Sequence, residues 1–209
     1  MKTLVIVDLQ KDFYAKNGAL YVKGAEVLPS RIAKRIKEGD FDNIIITMDA
    51  HPFDHCSFIE NGGQWPMHCV KGTEGASVSE KIFDAIKELN AIRYVNGNSK
   101  PNVVIVDKGY ESNKEEYGAF ANYKKYNNIF RYLLSNSNDI DVYNLLRESE
   151  DIEVCGIALD YCVMHTVKEL ILFVESDKVW VNTKCSKSID DGTTFKKFAE
   201  ENNIFHIDM

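Results

Sequence analysis

Short runs of aliphatic and β-branched residues alternate along this chain with longer segments of helical periodicity. The predicted strands are Thr3–Val7, Asn43–Met48, Val103–Val106, Ile152–Ile157, Lys178–Asn182 and Ile204–Ile207. The predicted helices are Glu26–Glu38, Ser77–Leu89, Tyr161–Val174 and Thr193–Asn202. Buried strands that alternate with helices are typical of a mostly parallel sheet covered on both faces. We therefore predict an α/β fold, a three-layer sandwich with a Rossmann-like central sheet of about six strands.

The size of the chain suits one domain over residues 1–209, since 209 residues of which 44% are hydrophobic can bury a full core. One part departs from the alternation. Residues 111–149 are polar and rich in Asn, Lys and Tyr, with one amphipathic stretch at Tyr126–Leu134. We expect an elaborated connection there with one or two extra helices. It could cover a pocket or contact a neighbouring subunit, and a homo-oligomer is compatible with either role.

Charge and cysteine content narrow the class of protein. The formal net charge is −7, so the basic footprint of a nucleic-acid-binding protein is absent. No apolar run approaches the roughly 20 residues that span a membrane. The five cysteines are odd in number and lack a framework spacing, which indicates free thiols in a reducing compartment. We expect a cytoplasmic protein with a small-molecule substrate and no nucleic-acid or membrane partner.

Polar or reactive residues follow four of the predicted strands. Asp8 follows the first, Asp49 the second and Lys108 the third, and the segment GIALDYC with Cys162 follows the fourth. Ligands of open α/β sheets bind beyond the carboxyl ends of the strands, so these groups should converge on one edge.

Cys162 lies where a helix is predicted to begin, a position that favours a thiolate over a thiol. A neighbouring carboxylate such as Asp8 could accept its proton, and Lys108 could stabilise the thiolate. The N–H of Cys162 and one from the turn Ile157-Ala158-Leu159 could form an oxyanion hole. The alternatives are ordinary ones, namely a buried structural cysteine, a turn aspartate and a surface lysine.

A second candidate site combines Asp49 and His51 with His68. One carboxylate and two imidazoles suffice for a divalent transition ion whose shell is completed by water. The same residues also occur as ordinary turn and loop residues, so the residues alone leave both readings open.

Six segments in order resemble the isochorismatase-like cysteine hydrolases, and within them the nicotinamidases, over essentially the whole chain. They are VDLQKDF at 7–13, DAHPFDHCSF at 49–58, WPMHCVKGTEGA at 65–76, VDKGY at 106–110, YGAF at 117–120 and GIALDYCV at 156–163. The resemblance implies Cys162 as nucleophile, Asp8 as general base and acid, and Lys108 as third member of a triad. It also implies a cis peptide before Ala158 that aims the Ala158 N–H, beside that of Cys162, at the oxyanion.

The same resemblance makes Asp49, His51 and His68 metal ligands, with zinc as the expected ion and iron or manganese as alternatives. Further ligands are expected from the loop between Asp49 and His68. The candidates are Glu60, which is the first choice, His55 and Ser57. Aromatic side chains are expected to hold a flat ring, with Phe13 and Trp65 on its faces and Tyr110, Tyr117 and Tyr161 at the rim.

The implied reaction is hydrolysis of nicotinamide to nicotinate and ammonia in NAD salvage, with pyrazinamide as a second substrate. Three alternatives remain open. A metal-free amidohydrolase for N-carbamoyl compounds would not need the Asp49, His51 and His68 set. A silent binding domain would lack the triad, and hydrolysis of isochorismate itself would not require Cys162.

Overall fold

The computed structural model describes residues 1–121, 129–134 and 141–207. The strands are β1 Lys2–Val7, β2 Asn43–Asp49, β3 Asn102–Lys108, β4 Ile129–Leu134, β5 Asp151–Ile157, β6 Val179–Lys187 and β7 Phe205–His206. The helices are α1 Lys11–Tyr14, α2 Leu28–Glu38, α3 Glu80–Val95, α4 Val142–Glu148, α5 Met164–Leu170 and α6 Thr193–Asn202. A π turn at Leu159–Val163 connects β5 to α5.

The strands form one sheet in the order β4-β3-β2-β1-β5-β6-β7. Six strands are parallel, and β4 pairs antiparallel with β3 at one edge. The predicted α/β fold with a mostly parallel sheet is confirmed, and all six predicted strands are present. The predicted end of β6 at Asn182 is too early, because that strand continues to Lys187.

Both faces of the sheet are buried. Leu4 and Ile6 of β1 belong to the core cluster that contains α2 and α3 residues such as Ile32 and Ile86. The alternate side chains of β1, Val5 among them, belong to the cluster that contains α4, α5 and α6 residues. Successive side chains of a strand point to opposite faces, so the continuous apolar run of β1 serves both layers.

Two sequence predictions need correction. The stretch Tyr126–Leu134 was expected in a helical connection, but Ile129–Leu134 is strand β4; residues 126–128 lie outside the described residues. Strand-forming Ile, Phe and Tyr, in an edge strand that pairs with β3, favour this outcome. The helix expected over Tyr161–Val174 is shorter, because its first turn is the π turn and α5 ends at Leu170. Among the described residues of the 111–149 connection, helix α4 is present.

The order of the strands in the sheet indicates where a ligand should bind. From β1 the chain moves outward to β2 and β3 on one side, and later returns to β5 on the other side of β1. Open α/β sheets bind ligands at the carboxyl ends of strands where the order switches direction. That position lies between the ends of β1 and β5. Within the described ranges, no helix has the length and apolar composition that a membrane span requires.

Candidate active site

The four strand ends bring their polar groups together, as predicted. Asp8 directly follows β1, Asp49 ends β2, Lys108 ends β3, and Cys162 lies in the π turn after β5. Lys108 Nζ lies 2.9 Å from Asp8 Oδ2, 2.5 Å from Asp49 Oδ1 and 3.6 Å from Cys162 Sγ. One buried ammonium group therefore contacts both carboxylates and the thiol.

The opposite charges of Lys108 and Asp49 stabilise each other. Burial disfavours the ammonium form of Lys108, but Asp49 and Asp8 outweigh burial and hold its pKa well above the usual range. Burial alone would raise the pKa of Asp49, yet the adjacent Lys108 lowers it. Lys108 and Asp49 are therefore charged at neutral pH. An opposite charge within hydrogen-bond distance favours this state even without water.

Asp8 differs from Asp49 in the direction of its pKa shift. Burial raises the pKa of Asp8, although Lys108 acts in the opposite direction. Its Oδ1 accepts a hydrogen bond from Thr47 Oγ1 at 2.7 Å. The backbone of Asp8 has φ +48°, in the left-handed region that non-glycine residues rarely occupy outside functional sites. A carboxyl group with a raised pKa can both accept and return a proton.

Cys162 is not the thiolate that its position predicted. Burial raises the pKa of its thiol well above the ordinary value, and the lowering effect of Lys108 is smaller. The side chain is almost fully buried, and the residue lies within the π turn rather than at an open helix start. The resting group is therefore a thiol, and a base must take its proton before it can attack.

The turn before Cys162 has the expected cis peptide bond between Ile157 and Ala158. The carbonyl oxygen of Ala158 accepts hydrogen bonds from the N–H groups of Tyr161 at 3.1 Å and Val163 at 3.0 Å. Gly156 precedes this turn with φ +132°, and a Cβ there would lie 2.0 Å from the carbonyl oxygen of Val7. Only glycine permits this close approach of β5 to β1, which brings the turn beside Asp8.

Asp49, His51 and His68 form the candidate metal site. Their ligand atoms lie within 4.8 Å of one another, and all three residues are buried. His51 Nδ1 donates a hydrogen bond to the carbonyl oxygen of Gly109, and His68 Nδ1 to that of Pro66, each at 2.7 Å. A carbonyl oxygen can only accept, so each Nδ1 carries a proton, and in the neutral imidazole each Nε2 keeps its lone pair. Donation of the second ring N–H to an acceptor is the usual arrangement of metal-binding histidines.

The electrostatics of the two histidines differ. Burial lowers the pKa of His68, which keeps its imidazole neutral. Burial also disfavours the charged form of His51, but Asp49 outweighs this effect and raises its pKa. A carboxylate and two imidazoles that converge in a buried site suit a divalent ion of the zinc type. The residues present therefore fit a metal.

The additional ligands expected from the loop are not brought to this group. Glu60 is exposed, and within the described residues it belongs to no cluster of three candidate ligands. Both ring nitrogens of His55 are occupied, Nδ1 by Ser57 Oγ at 2.7 Å and Nε2 by the carbonyl oxygen of Lys114 at 3.0 Å. His55 instead stacks on His51 with ring centroids 4.0 Å apart. We therefore infer that it supports the ring of His51.

One cavity reaches both candidate sites, although Asp8 and Lys108 are not among its lining residues. Its lining includes Asp49, His51, His68, Cys162 and Ala158, together with the predicted aromatics Phe13, Trp65, Tyr117 and Tyr161. Tyr110 was predicted at the rim but does not line the cavity. Four further lining residues were missed by the sequence analysis, namely Leu20, Val22, Glu115 and Ile189. An apolar cavity with few converging polar groups is typical of a small-molecule site.

Three buried polar residues that position the site were also missed. The amide of Gln10 donates to the carbonyl oxygens of Asp49 and Ala76 and accepts from the Asp49 N–H, with distances of 2.8 to 2.9 Å. Thr47 bonds Asp8 as described above. Asp160 accepts the N–H groups of Ile189 and Asp190, each at 2.9 Å, which brings Ile189 to the cavity. Gln10 and Asp160 lie inside quoted motifs, and that location was the available signal.

The comparisons with known proteins extend the likeness beyond motifs. No protein-family model matches the chain. The nicotinamidase of Saccharomyces cerevisiae is 29% identical over 192 residues, which cover 79% of each chain. The structure of the yeast nicotinamidase bound to the inhibitor nicotinaldehyde has a TM-score of 0.74 and 26% identity, and the alignment covers 100% of both chains. The pyrazinamidase of Pyrococcus horikoshii in complex with zinc has a TM-score of 0.69 and 26% identity, over 100% of this chain and 99% of that one.

The structural likeness therefore extends over essentially the whole chain. In sequence and in fold, the chain is similar to nicotinamidases and pyrazinamidases.

Proposed function

We propose that this enzyme hydrolyses nicotinamide to nicotinate and ammonia, with pyrazinamide as a second substrate. The observation that carries the proposal is the position of the Cys162 thiol, which lines the same cavity as Asp49, His51 and His68. A ring bound at the three ligands would present its carboxamide to the thiol. The relatives, one of them solved with nicotinaldehyde and one with zinc, support this assignment.

The cavity walls suit a flat aromatic ring. Phe13 and Trp65 would hold its faces, and Tyr117 and Tyr161 would close the rim. Asp49, His51 and His68 would hold the divalent metal. That ion, when bound, supplies a Lewis acid for the nitrogen of the pyridine ring, so the carboxamide is fixed in place. Zinc is the proposed ion, and iron or manganese would suit the same ligands.

The first half of the reaction forms a thioester. Asp8 takes the thiol proton of Cys162, and the sulfur attacks the amide carbon. Lys108 stabilises the thiolate as it forms, because its ammonium group lies 3.6 Å from Sγ. The N–H groups of Ala158 and Cys162 would bind the oxygen of the tetrahedral intermediate. Asp8 then gives its proton to the amide nitrogen as the C–N bond breaks, and ammonia leaves.

The second half releases the product. Asp8 is now a carboxylate and takes a proton from water, whose oxygen attacks the thioester carbon. The C–S bond breaks, the sulfur regains a proton, and the carboxylic acid product leaves as nicotinate. One water is consumed for each ammonia released. Such an enzyme would act in NAD salvage; the cytoplasmic location and the homo-oligomer stay predictions.

The test is ammonia release from nicotinamide by purified protein supplied with zinc. We expect turnover by the wild type and a loss of about 100-fold or more in kcat/KM for His51→Ala, with zinc bound more weakly as well. His206→Ala is the matched control, because His206 lies in β7 outside the cavity. A zinc-loaded wild type that releases no ammonia would refute the proposal. Full turnover by metal-free protein would favour the metal-free amidohydrolase.

A further inference from the structure

The carboxylate of Glu116 lies behind the candidate metal site and has no role in the reaction proposed above. We propose that Glu116 is a positioning residue, which orients the imidazole of His51 for the metal by holding the backbone of Gly109. This inference rests on the metal site of the proposed function. It concerns the support of one ligand rather than the hydrolysis itself.

The contacts form a continuous path from Glu116 to His51. The side chain of Glu116 is only 8% exposed. Its Oε2 accepts a hydrogen bond from the Gly109 N–H at 3.2 Å. The carbonyl oxygen of Gly109 in turn accepts from His51 Nδ1 at 2.7 Å. The path therefore ends at Nδ1 of His51. Because Nδ1 carries the proton, Nε2 is available to bind the metal.

Gly109 can transmit this position only through its backbone. It has φ +60°, and a Cβ built on it would lie 2.5 Å from His51 Cε1 and 2.8 Å from His51 Nδ1. No side chain fits between this backbone and the imidazole ring. Because glycine has no side chain that packing could hold, its position depends on backbone contacts such as an acceptor for its N–H group. Glu116 provides that acceptor.

Glu116 also makes a contact through its backbone, so the effects of its backbone and of its side chain can be distinguished by substitution. Its carbonyl oxygen lies 3.3 Å from Lys108 Nζ, so its main chain supports the triad lysine. Its other carboxylate oxygen pairs with Lys114. A side-chain substitution therefore breaks the path to His51 but leaves the carbonyl contact with Lys108. We expect metal affinity to change while the reactivity of Cys162 does not.

The experiment measures zinc affinity by competition with a chelating dye for wild type and three variants. Glu116→Met has similar volume without an acceptor, Glu116→Gln keeps an acceptor, and Lys114→Met removes only the ion pair. We expect Glu116→Met to bind zinc about tenfold more weakly, in the range typical for partners of metal-binding histidines. The other two variants should stay within about threefold of the wild type. Glu116→Ala carries the same expectation as Glu116→Met if the latter does not fold.

Two further readouts separate positioning from a general structural role. In a His51→Ala background, Glu116→Met should cost no further zinc affinity, since the group it positions is gone. The alkylation rate of Cys162 by iodoacetamide in metal-free protein should stay at the wild-type value. Wild-type zinc affinity in Glu116→Met, an additive loss in the double variant, or an equal loss in all three variants would overturn the inference. A wild type that binds no zinc would instead refute the metal site of the proposed function.

Discussion

The two ends of the same parallel strands carry different kinds of buried polar groups. At the amino ends, Asn43 Nδ2 donates to Thr3 Oγ1 at 3.1 Å and Asn102 Nδ2 donates to Asn43 Oδ1 at 2.8 Å. Thr3 Oγ1 is also hydrogen-bonded to Ser149 Oγ at 2.7 Å. These neutral groups satisfy one another across three strands. A satisfied neutral network of this kind stabilises the fold.

At the carboxyl ends the buried groups are charged and are not all matched. Lys108 faces two carboxylates and a thiol, while the Nε2 atoms of His51 and His68 keep open lone pairs. Buried charges cost free energy even when they are paired. Burial of polar groups alone therefore does not mark a site. The distinguishing signs are buried charges, pKa values shifted in either direction and side-chain atoms that can bind a metal.

The largest expected effect is at the carboxyl edge. Cys162→Ala should lower kcat for nicotinamide by about 1,000-fold or more, because no other nucleophile contacts Lys108 and Asp8 in the described cavity lining. The free energy of unfolding should change little, and zinc should still bind, since the three ligands are intact. Ammonia release, urea unfolding and bound zinc check these points. Cys185→Ala, buried on β6, serves as the cysteine control and should keep its activity. If Cys162→Ala kept most of its activity, the sulfur of Cys162 would not be the nucleophile.

The second largest expected effect concerns the pH dependence of stability and arises from Glu169. Its Oε2 accepts the Phe120 N–H at 2.6 Å, and burial raises the pKa of this carboxyl group from 4.5 to about 7. The folded protein therefore holds a proton that the unfolded chain has lost, so stability falls as pH rises from about 4.5 to 7. Glu169→Gln has no such proton. Its stability relative to the wild type should rise by about 3 kcal/mol over this range.

Urea unfolding at pH 5 and pH 8 measures the difference. Glu200→Gln, exposed on α6, is the control and should show no such trend. If Glu169→Gln and the wild type kept the same difference at both pH values, Glu169 would not be a buried acid in solution. That result would weaken the view that buried ionisable groups near the active site cost stability.

The sequence predicted the parts of the site that follow from strand order. Asp8, Lys108 and Cys162 could be assigned to one edge because the carboxyl ends of parallel strands meet there. His68 required the resemblance, since it lies in a loop with no periodicity. The hydrogen-bond partners of individual side chains could not be predicted from the sequence. The occupation of both nitrogens of His55 depends on the carbonyl oxygen of Lys114, which is distant in sequence.

Protonation states were equally beyond the sequence. The helix-start position of Cys162 predicted a thiolate, but burial by residues from several elements outweighs that effect. The lining residues Glu115 and Ile189 reach the cavity through loop contacts without a local pattern. Tyr110, by contrast, lies in a quoted motif and still does not line the cavity. A motif therefore predicts which backbone segments meet more reliably than which side chains point inward.

The smallest effect should come from the amino edge and should spare activity. Asn43→Leu keeps a similar volume but removes the donor to Thr3 and the acceptor for Asn102. Loss of both contacts in a residue that is 1% exposed should lower the free energy of unfolding by about 1–3 kcal/mol. The kcat/KM for nicotinamide should stay within about twofold, because this residue and the cavity lie at opposite ends of β2. Urea unfolding and ammonia release measure the two quantities on one preparation. A large loss of activity with unchanged stability would show that the two edges are coupled, and that the separation of stability from function along these strands is wrong.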